Sequence, residues 1–352
     1  MNRKLTEKFL LADGTEATVS RPVIVSASRA TDVPAFFADW FANRLRAGYC
    51  AWVNPFNAHQ RTAVSFDQTR AIVFWSKNPR PLFKHLPLVE QLGIGYYVQF
   101  TLNDYEADGL EPGVPPLEHR LETFRMLADR LGPERVVWRF DPLLTSPTLP
   151  IPELLRRIER LADRLRGLTR KLVFSFADIA AYRKVQSNLG KLGHAFRELT
   201  AEEMQEVASG LRDIAGRAGL ELATCAEALD LSALGIAHNR CIDDDLLARL
   251  YPEDAQLMAH LGRGQDDLFA VAGTAKKDAG QRKECGCIVS KDIGAYNTCP
   301  HLCTYCYANS SRDSVLAKFK KHDRSGEFMT GSGEAEPPAQ SPVFWQKQMA
   351  RS

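Results

Sequence analysis

The sequence carries almost no net charge and has no long apolar run. Its 352 residues include 45 Lys and Arg against 43 Asp and Glu, a formal balance of +2. No overall field would therefore draw the protein to nucleic acid or to an anionic membrane. No stretch approaches 18 uninterrupted apolar residues, and residues 1–20 lack the apolar core and cleavage site of a signal peptide. We expect a cytoplasmic protein with no membrane partner.

Cysteine is nearly absent from the first 220 residues, in which only Cys50 occurs, inside an apolar run typical of a core position. The next 86 residues contain the other seven: Cys225, Cys241, Cys285, Cys287, Cys299, Cys303 and Cys306. In a reducing compartment this crowding indicates metal binding instead of disulfides. Phosphate-binding glycine signatures are lacking, because GRGQDD and GTAKK match neither a P-loop nor a dinucleotide fingerprint.

Short β-branched and aromatic runs alternate with longer segments of helical spacing, as is typical of βα units around a parallel sheet. The predicted strands span residues 22–27, 49–53, 71–75, 95–101, 135–139, 171–176 and 220–224, with a weaker eighth run at 292–298. The predicted helices span residues 34–47, 81–92, 116–131, 151–166 and 200–218. This pattern predicts an α/β fold with a complete or partial TIM-type (β/α) barrel of parallel strands, and a doubly wound open sheet is the alternative.

The same pattern divides the chain into four regions. An N-terminal extension (1–20) precedes the βα-barrel core (21–235). A cysteine-rich region (236–323), expected to bind an iron-sulfur cluster, would complete the barrel. The Gly, Ser, Pro and Gln bias of residues 324–352 predicts a flexible tail.

Three cysteines lie close together in the segment NTCPHLCTYCYAN (297–309), which we name the three-cysteine loop. Its C-x3-C-x2-C spacing brings together Cys299, Cys303 and Cys306, one ligand fewer than a structural zinc site normally uses. A [4Fe-4S] cluster held by three cysteines keeps one iron open to a further ligand. The alternative is a zinc knuckle that borrows His301 or Cys287. Tyr305 adds an aromatic surface beside the site.

This loop resembles the signature of the radical S-adenosylmethionine (SAM) superfamily, C-x3-C-x-aromatic-C. The resemblance implies a [4Fe-4S] cluster whose open iron binds SAM, cleavage of SAM to a 5'-deoxyadenosyl radical, and hydrogen abstraction from an unknown substrate. It also implies a reductant such as flavodoxin or ferredoxin. The superfamily's loop usually follows the first barrel strand, whereas here it comes last. If residues 292–298 lay beside 22–27, the order of strands in space would be preserved.

A wider resemblance covers most of the chain. The segments SASRATDVP, FWSKNP, WRFDPL and SKDIGAYNTCPHLCTYCYAN are similar to the DUF1848 family, uncharacterised bacterial proteins with a C-terminal radical SAM-like cysteine motif.

The remaining four cysteines, Cys225, Cys241, Cys285 and Cys287, form what we name the four-cysteine set. Four thiols, two of them separated by a single glycine, predict an auxiliary iron-sulfur cluster. A zinc ion and unligated structural cysteines are the alternatives.

Polar residues follow the predicted strands, at the ends that form the catalytic face of a βα barrel. The candidate catalytic residues are Arg29, Lys77, Arg139 and Asp141. Of these, Arg29 and Lys77 are candidates for binding a SAM carboxylate or a substrate anion. Arg139 and Asp141 are expected to pair or to face the ligand. The other cofactor-binding candidates are Ser28, Asp32, Asn78 and Tyr305, of which Asp32 and Asn78 are alternatively helix caps.

A basic run, with Lys318, Lys320, Lys321 and Arg324, follows the three-cysteine loop. It predicts either a solvated helix end or contact with nucleic acid. The leading interpretation is a radical SAM-type enzyme. The alternative is a non-catalytic zinc or iron-sulfur module that recognises nucleic acid or a protein partner.

Overall fold

The computed structural model describes residues 7–263 and 275–331. In chain order the strands are β1 (Lys8–Leu10), β2 (Glu16–Ser20), β3 (Ile24–Ala27), β4 (Tyr49–Asn54), β5 (Asn57–Ser65), β6 (Ala71–Ser76), β7 (Gly95–Thr101), β8 (Val136–Leu143), β9 (Lys171–Phe176), β10 (Glu221–Thr224), β11 (Ala237–His238) and β12 (Lys291–Asp292). The helices are α1 (Val33–Phe36), α2 (Ala38–Ala47), α3 (Leu86–Gln91), α4 (Leu117–Leu131), α5 (Ile151–Arg164), α6 (Arg183–Gly190), α7 (Ala201–Ala218), α8 (Asp244–Leu250), α9 (Ala255–His260) and α10 (Arg312–Lys320), with short 3-10 turns at Arg80–His85 and Ser232–Leu234.

The fold is a mixed α/β architecture around one parallel sheet of eight strands. Their order across the sheet is β11-β10-β9-β8-β7-β6-β3-β12, and each pair of neighbours is parallel. The strands alternate with helices along the chain, as predicted. Parallel strands that are buried on both faces have continuous apolar sequences, which makes their ends easy to predict. β7 and β9 have the predicted bounds.

The last strand lies beside the first in this sheet. Lys291 and Asp292 of β12 pair with Val25 and Ser26 of β3, so the expected adjacency of these two segments is confirmed. The strand is shorter than the predicted 292–298, because the chain turns after it. The backbone N–H of Gly294 donates to the Asp292 carboxylate at 2.8 Å.

The strand predicted at 49–53 exists but does not belong to the parallel sheet, so this part of the expected barrel order was wrong. It forms β4, which lies in a separate four-stranded sheet of order β1-β2-β5-β4 instead of the parallel sheet. The reason is local, since β5 follows immediately and pairs with β4 as an antiparallel hairpin. The predicted N-terminal extension supplies β1 and β2 to this sheet.

Part of the segment predicted as a flexible tail contacts the body of the protein. Phe328 and Met329 are buried, and the Ala51 N–H donates to the carbonyl oxygen of Glu327. Residues 332–352 of that segment lie outside the described residues. None of the helices in the described ranges is long and apolar enough to cross a membrane.

Candidate functional site

A cavity of about 360 Å³ opens at the carboxyl ends of the parallel strands. All seven clustered cysteines line it. So do eight further residues from the ends of β3, β6, β8 and β9 and from the three-cysteine loop, namely Ser28, Arg29, Asp32, Lys77, Arg139, Asp141, Ser175 and Tyr305. Asn78 is not among the lining residues, and its N–H donates to Ser76 Oγ at 2.9 Å.

The three-cysteine loop forms one wall of the cavity. Cys303 is buried, and Cys299 and Cys306 are partly exposed. Burial raises the pKa of Cys299 to about 12, and the charges of Asp32 and Cys306 act in the same direction. Thiolates in such a place need a compensating cation, which a metal centre supplies. The backbone groups of His301 and Asp32 near Cys299, and of Ala308 and Asn309 near Cys306, act in the opposite direction and lower the pKa of these thiols.

His301 fixes the loop to the body of the protein. Its Nε2 lies 2.8 Å from Asp32 Oδ2, and its Nδ1 lies 3.1 Å from the Gly113 carbonyl oxygen. Asp32 also accepts from Ser76 Oγ and from the Lys77 N–H, both at 2.7 Å, and caps α1. Both carboxylate oxygens of Asp32 are therefore engaged within the protein, which agrees with the capping alternative for this residue.

Gly113 allows the loop to pack this closely. Its N–H donates to the His301 carbonyl oxygen at 2.9 Å. A Cβ atom at this position would lie 2.3 Å from the Pro300 carbonyl oxygen, closer than side chains tolerate. The position therefore requires glycine for steric reasons.

The buried carboxylate of Glu111 fixes the position of the Tyr305 side chain. Glu111 accepts from Tyr305 OH, from Lys77 Nζ at 2.8 Å and from Asn103 Nδ2 at 2.9 Å. Burial raises the pKa of Glu111, but Lys77 and Arg120 outweigh that effect and hold it at about 2. Lys77 is thus engaged with Glu111 and Tyr305 in the protein.

Sequence reasoning missed Glu111 because the residue lies in an irregular loop. It comes ten residues after β7, outside any strand end or helical period. No motif marks it.

The four-cysteine set converges from three separate segments. Cys225 Sγ lies 3.3 Å from Cys241 Sγ, and Cys287 is near enough to Cys241 and Cys285 for both thiols to affect its pKa. Three nitrogen donors point at these sulfurs: Arg139 Nη1 at 2.9 Å and Asn239 Nδ2 at 3.2 Å from Cys241, and the Ile242 N–H at 3.4 Å from Cys287. Such N–H···S contacts fit the ligands of an iron-sulfur cluster.

Arg139 and Asp141 pair with each other between the two cysteine groups. Arg139 Nε lies 3.2 Å from Asp141 Oδ2, and Ser175 Oγ donates to the other carboxylate oxygen. Burial disfavours the charge of Arg139, yet the neighbouring Cys241, Cys225 and Asp141 raise its pKa. The pair expected from the sequence is present, and Arg139 also contacts the four-cysteine set.

Neither cysteine group brings three of its sulfur atoms within 4.8 Å of one another. Within residues 7–263 and 275–331, only Asp243, Asp244 and Asp245 place three potential ligand atoms all within 4.8 Å of one another. Four sulfurs at about 2.3 Å from one zinc ion would lie about 3.8 Å apart.

Other ionisable groups complete the cavity wall. Burial raises the pKa of Glu227 to about 7, with the charges of Asp178 and Asp141 adding to the effect. The rings of Tyr182 and Tyr307 stack, with centroids 5.5 Å apart. Arg282 donates to Tyr182 OH at 2.9 Å. The wall thus combines aromatic surface with charged groups, as ligand sites commonly do.

The basic run lies outside the cavity. Lys318 and Lys320 fall in the last turn of α10, and Lys321 follows it. Basic side chains are favoured at this end of a helix because they complement its dipole. Arg324 is 72% exposed, and its Nη1 lies 3.7 Å from Asp39 Oδ2.

Comparison with known proteins identifies one family. A family model described as a domain of unknown function, DUF1848, matches residues 24–308. The match runs from β3 to the end of the three-cysteine loop and so includes the whole cavity wall described above. No curated protein matches the chain.

Proposed function

The chain belongs to the DUF1848 family, and we propose that it is a radical SAM-type iron-sulfur enzyme acting on a substrate held in the cavity. The observation that carries this proposal is that seven cysteines, in a group of three and a group of four, line one cavity at the carboxyl ends of parallel strands. That face of a parallel βα sheet is where active sites occur.

The three-cysteine loop would hold the catalytic cluster. Cys299, Cys303 and Cys306 supply three thiolates, and the backbone groups near Cys299 and Cys306 favour charged sulfur. When bound, a [4Fe-4S] cluster with one open iron supplies reductive cleavage of SAM and a 5'-deoxyadenosyl radical for hydrogen abstraction. The missing fourth protein ligand leaves room for SAM on the cavity side.

The protein's own residues keep this loop in one conformation. Asp32 holds His301, and Glu111 with Lys77 holds Tyr305, so the side chains between the cysteines are fixed from the body of the protein. Such preorganisation limits the movement of the ligands when SAM or substrate binds.

The four-cysteine set would hold an auxiliary cluster on the opposite wall. The N–H···S contacts from Arg139, Asn239 and Ile242 support this assignment. Hydrogen bonds to sulfur stabilise the reduced state of a cluster and tune its potential. Arg139 would therefore adjust the potential of the auxiliary cluster in addition to neutralising Asp141.

We further propose that the parallel sheet is a partial barrel and that the protein works in the reducing cytoplasm with a reductant such as flavodoxin or ferredoxin. Support for the barrel comes from a hydrogen bond between segments next to the two edge strands of the sheet, β11 and β12. The Ile288 N–H donates to the Ile242 carbonyl oxygen at 3.2 Å. Ile288 precedes β12, and Ile242 follows β11. None of the eight cysteines forms a disulfide, which supports a reducing compartment.

Anaerobic reconstitution followed by iron, sulfide and zinc analysis tests the proposal. We expect about eight irons per chain, four for each [4Fe-4S] cluster, and formation of 5'-deoxyadenosine from SAM under reductant. C303A should lose SAM cleavage and about half of the iron. C50A is the matched control, since Cys50 is buried in the core, away from the cavity. Tightly held zinc without SAM cleavage would instead support a non-catalytic module, with the basic end of α10 as its surface for nucleic acid or a partner.

A further inference from the structure

Arg29 differs from the other basic side chains of the cavity. Four Lys or Arg residues line the cavity within the described part of the chain. Lys77, Arg139 and Arg282 each have a partner carboxylate at hydrogen-bonding distance. The carboxylate paired with Arg29, that of Asp278, lies 3.7 Å away. The charge of Asp292 also acts on Arg29, but no carboxylate oxygen among the described residues lies within hydrogen-bonding distance of its guanidinium. A partly buried guanidinium of this kind is suited to an anionic ligand.

Three buried donor atoms in the same wall have no hydrogen-bond partner among the described residues. They are Arg29 Nε, Thr31 Oγ1 and Trp75 Nε1, and all three residues line the cavity. Thr31 is only 6% exposed. Buried donors are nearly always satisfied in native proteins, so these atoms indicate a bound acceptor.

The three residues belong to neighbouring strand ends. Arg29 and Thr31 follow β3, and Trp75 lies on β6 one residue beyond Phe74, which pairs with Ala27 of β3. The three side chains therefore come from the same end of two adjacent strands and line the same cavity.

The guanidinium of Arg29 lies near the four-cysteine set. Arg29 is close enough to Cys287 and Cys285 for their charges to act on it, and its Nη2 donates to Ser290 Oγ at 2.8 Å. Lys77, by contrast, lies close to Cys303 of the three-cysteine loop. Arg29 thus lies on the side of the four-cysteine set.

We infer that Arg29, Thr31 and Trp75 form an oxyanion subsite, and that the substrate presents a carboxylate or phosphate group to it. A guanidinium, an indole N–H and a hydroxyl together offer donors to the oxygens of such a group, and the guanidinium provides the opposite charge. The role assigned to the substrate rests on the proposed enzyme function, whereas the binding of an oxyanion does not. The carboxylate of SAM is the other source of the same chemistry.

The test is calorimetric titration of the anaerobically reconstituted protein with inorganic phosphate and, separately, with malonate, at constant ionic strength. R29Q should weaken binding of the preferred anion about tenfold, and T31V, which keeps the charge and shape of the site, should weaken it severalfold. R156Q is the control, because Arg156 pairs with Glu153 outside the cavity, and it should change the affinity less than about twofold. Circular dichroism of each variant confirms that it folds.

A second titration with SAM distinguishes the two sources of the oxyanion. Unchanged SAM affinity in R29Q, together with additive binding of SAM and the anion, supports a substrate subsite. Competition between SAM and the anion would overturn the assignment to substrate. Equal anion affinity in wild type and R29Q would overturn the subsite itself. Loss of anion binding in R29Q in a protein that holds no iron would support the subsite while refuting the proposed function.

Discussion

Glu111→Gln removes one buried negative charge and keeps the shape of the side chain. Glu111 Oε1 lies 2.8 Å from Lys77 Nζ, Glu111 Oε2 lies 3.7 Å from Arg120 Nη1, and the Glu111 side chain is 2% exposed. The substitution leaves two buried cations without their shared counter-ion. Removing one partner of a buried ion pair costs about 3–5 kcal/mol, because the remaining charge stays desolvated.

The pKa of Glu111 gives a second measure of the same interaction. It is held at about 2, against an ordinary value of 4.5. At about 1.36 kcal/mol per pH unit, this difference corresponds to about 3 kcal/mol of stability at neutral pH. We therefore expect E111Q to lower the free energy of unfolding by about 3 kcal/mol at pH 7.

Urea unfolding under anaerobic conditions measures this difference. The matched control is E122Q, because Glu122 pairs with Arg80 at 2.6 Å but is 63% exposed. Exposed pairs contribute little to stability, because water screens the two charges. E111Q should also hold less iron after gel filtration, since Tyr305 loses its acceptor. An E111Q protein no less stable than E122Q would refute this reasoning.

Three further predictions concern the supports of the three-cysteine loop. The folded state lowers the pKa of Glu111, so the ionised carboxylate stabilises the protein fully above about pH 4.5 and loses this effect as the pH falls toward 2. The free energies of unfolding of wild type and E111Q, measured with urea, should therefore converge over that range. G113A should lower the iron content, because its Cβ would lie 2.3 Å from a carbonyl oxygen of the loop. The control G190A has open space around its Cβ and should retain its full iron content. Equal iron content in the two variants would contradict the account. D32A removes a helix cap and three further accepted hydrogen bonds and should cost about 2–3 kcal/mol in the same urea assay, against about 1 kcal/mol for S311A, which removes a cap alone.

The parallel strands could be predicted because buried strands leave a strong signal. The runs at 95–101 and 171–176 match β7 and β9 residue for residue. The run at 49–53 has the same composition, but its partner is decided by the hairpin with β5 and not by its own residues. β11 contains two exposed residues, so composition gave no indication of it.

The sequence was sufficient to predict the cysteines of the site, but only some of the contacts that the surrounding polar residues make. Cysteines are rare, so their spacing identified two groups that do line one cavity. The direction of a side chain depends on tertiary contacts, and these decide that Lys77 binds Glu111 while Arg29 keeps a free donor. Asp32 could be read from the sequence as a cap, but its contact with His301 spans 269 positions.

The central claim is that Cys299, Cys303 and Cys306 hold a cluster with one iron open to SAM. Electron paramagnetic resonance of the reduced, reconstituted protein, with and without SAM, tests it most directly. We expect the signal of a reduced [4Fe-4S] cluster in the wild type to change when SAM is added, and C303A to lack the component that changes. A wild-type spectrum that SAM leaves unaltered, in a protein with its full complement of iron, would contradict the claim.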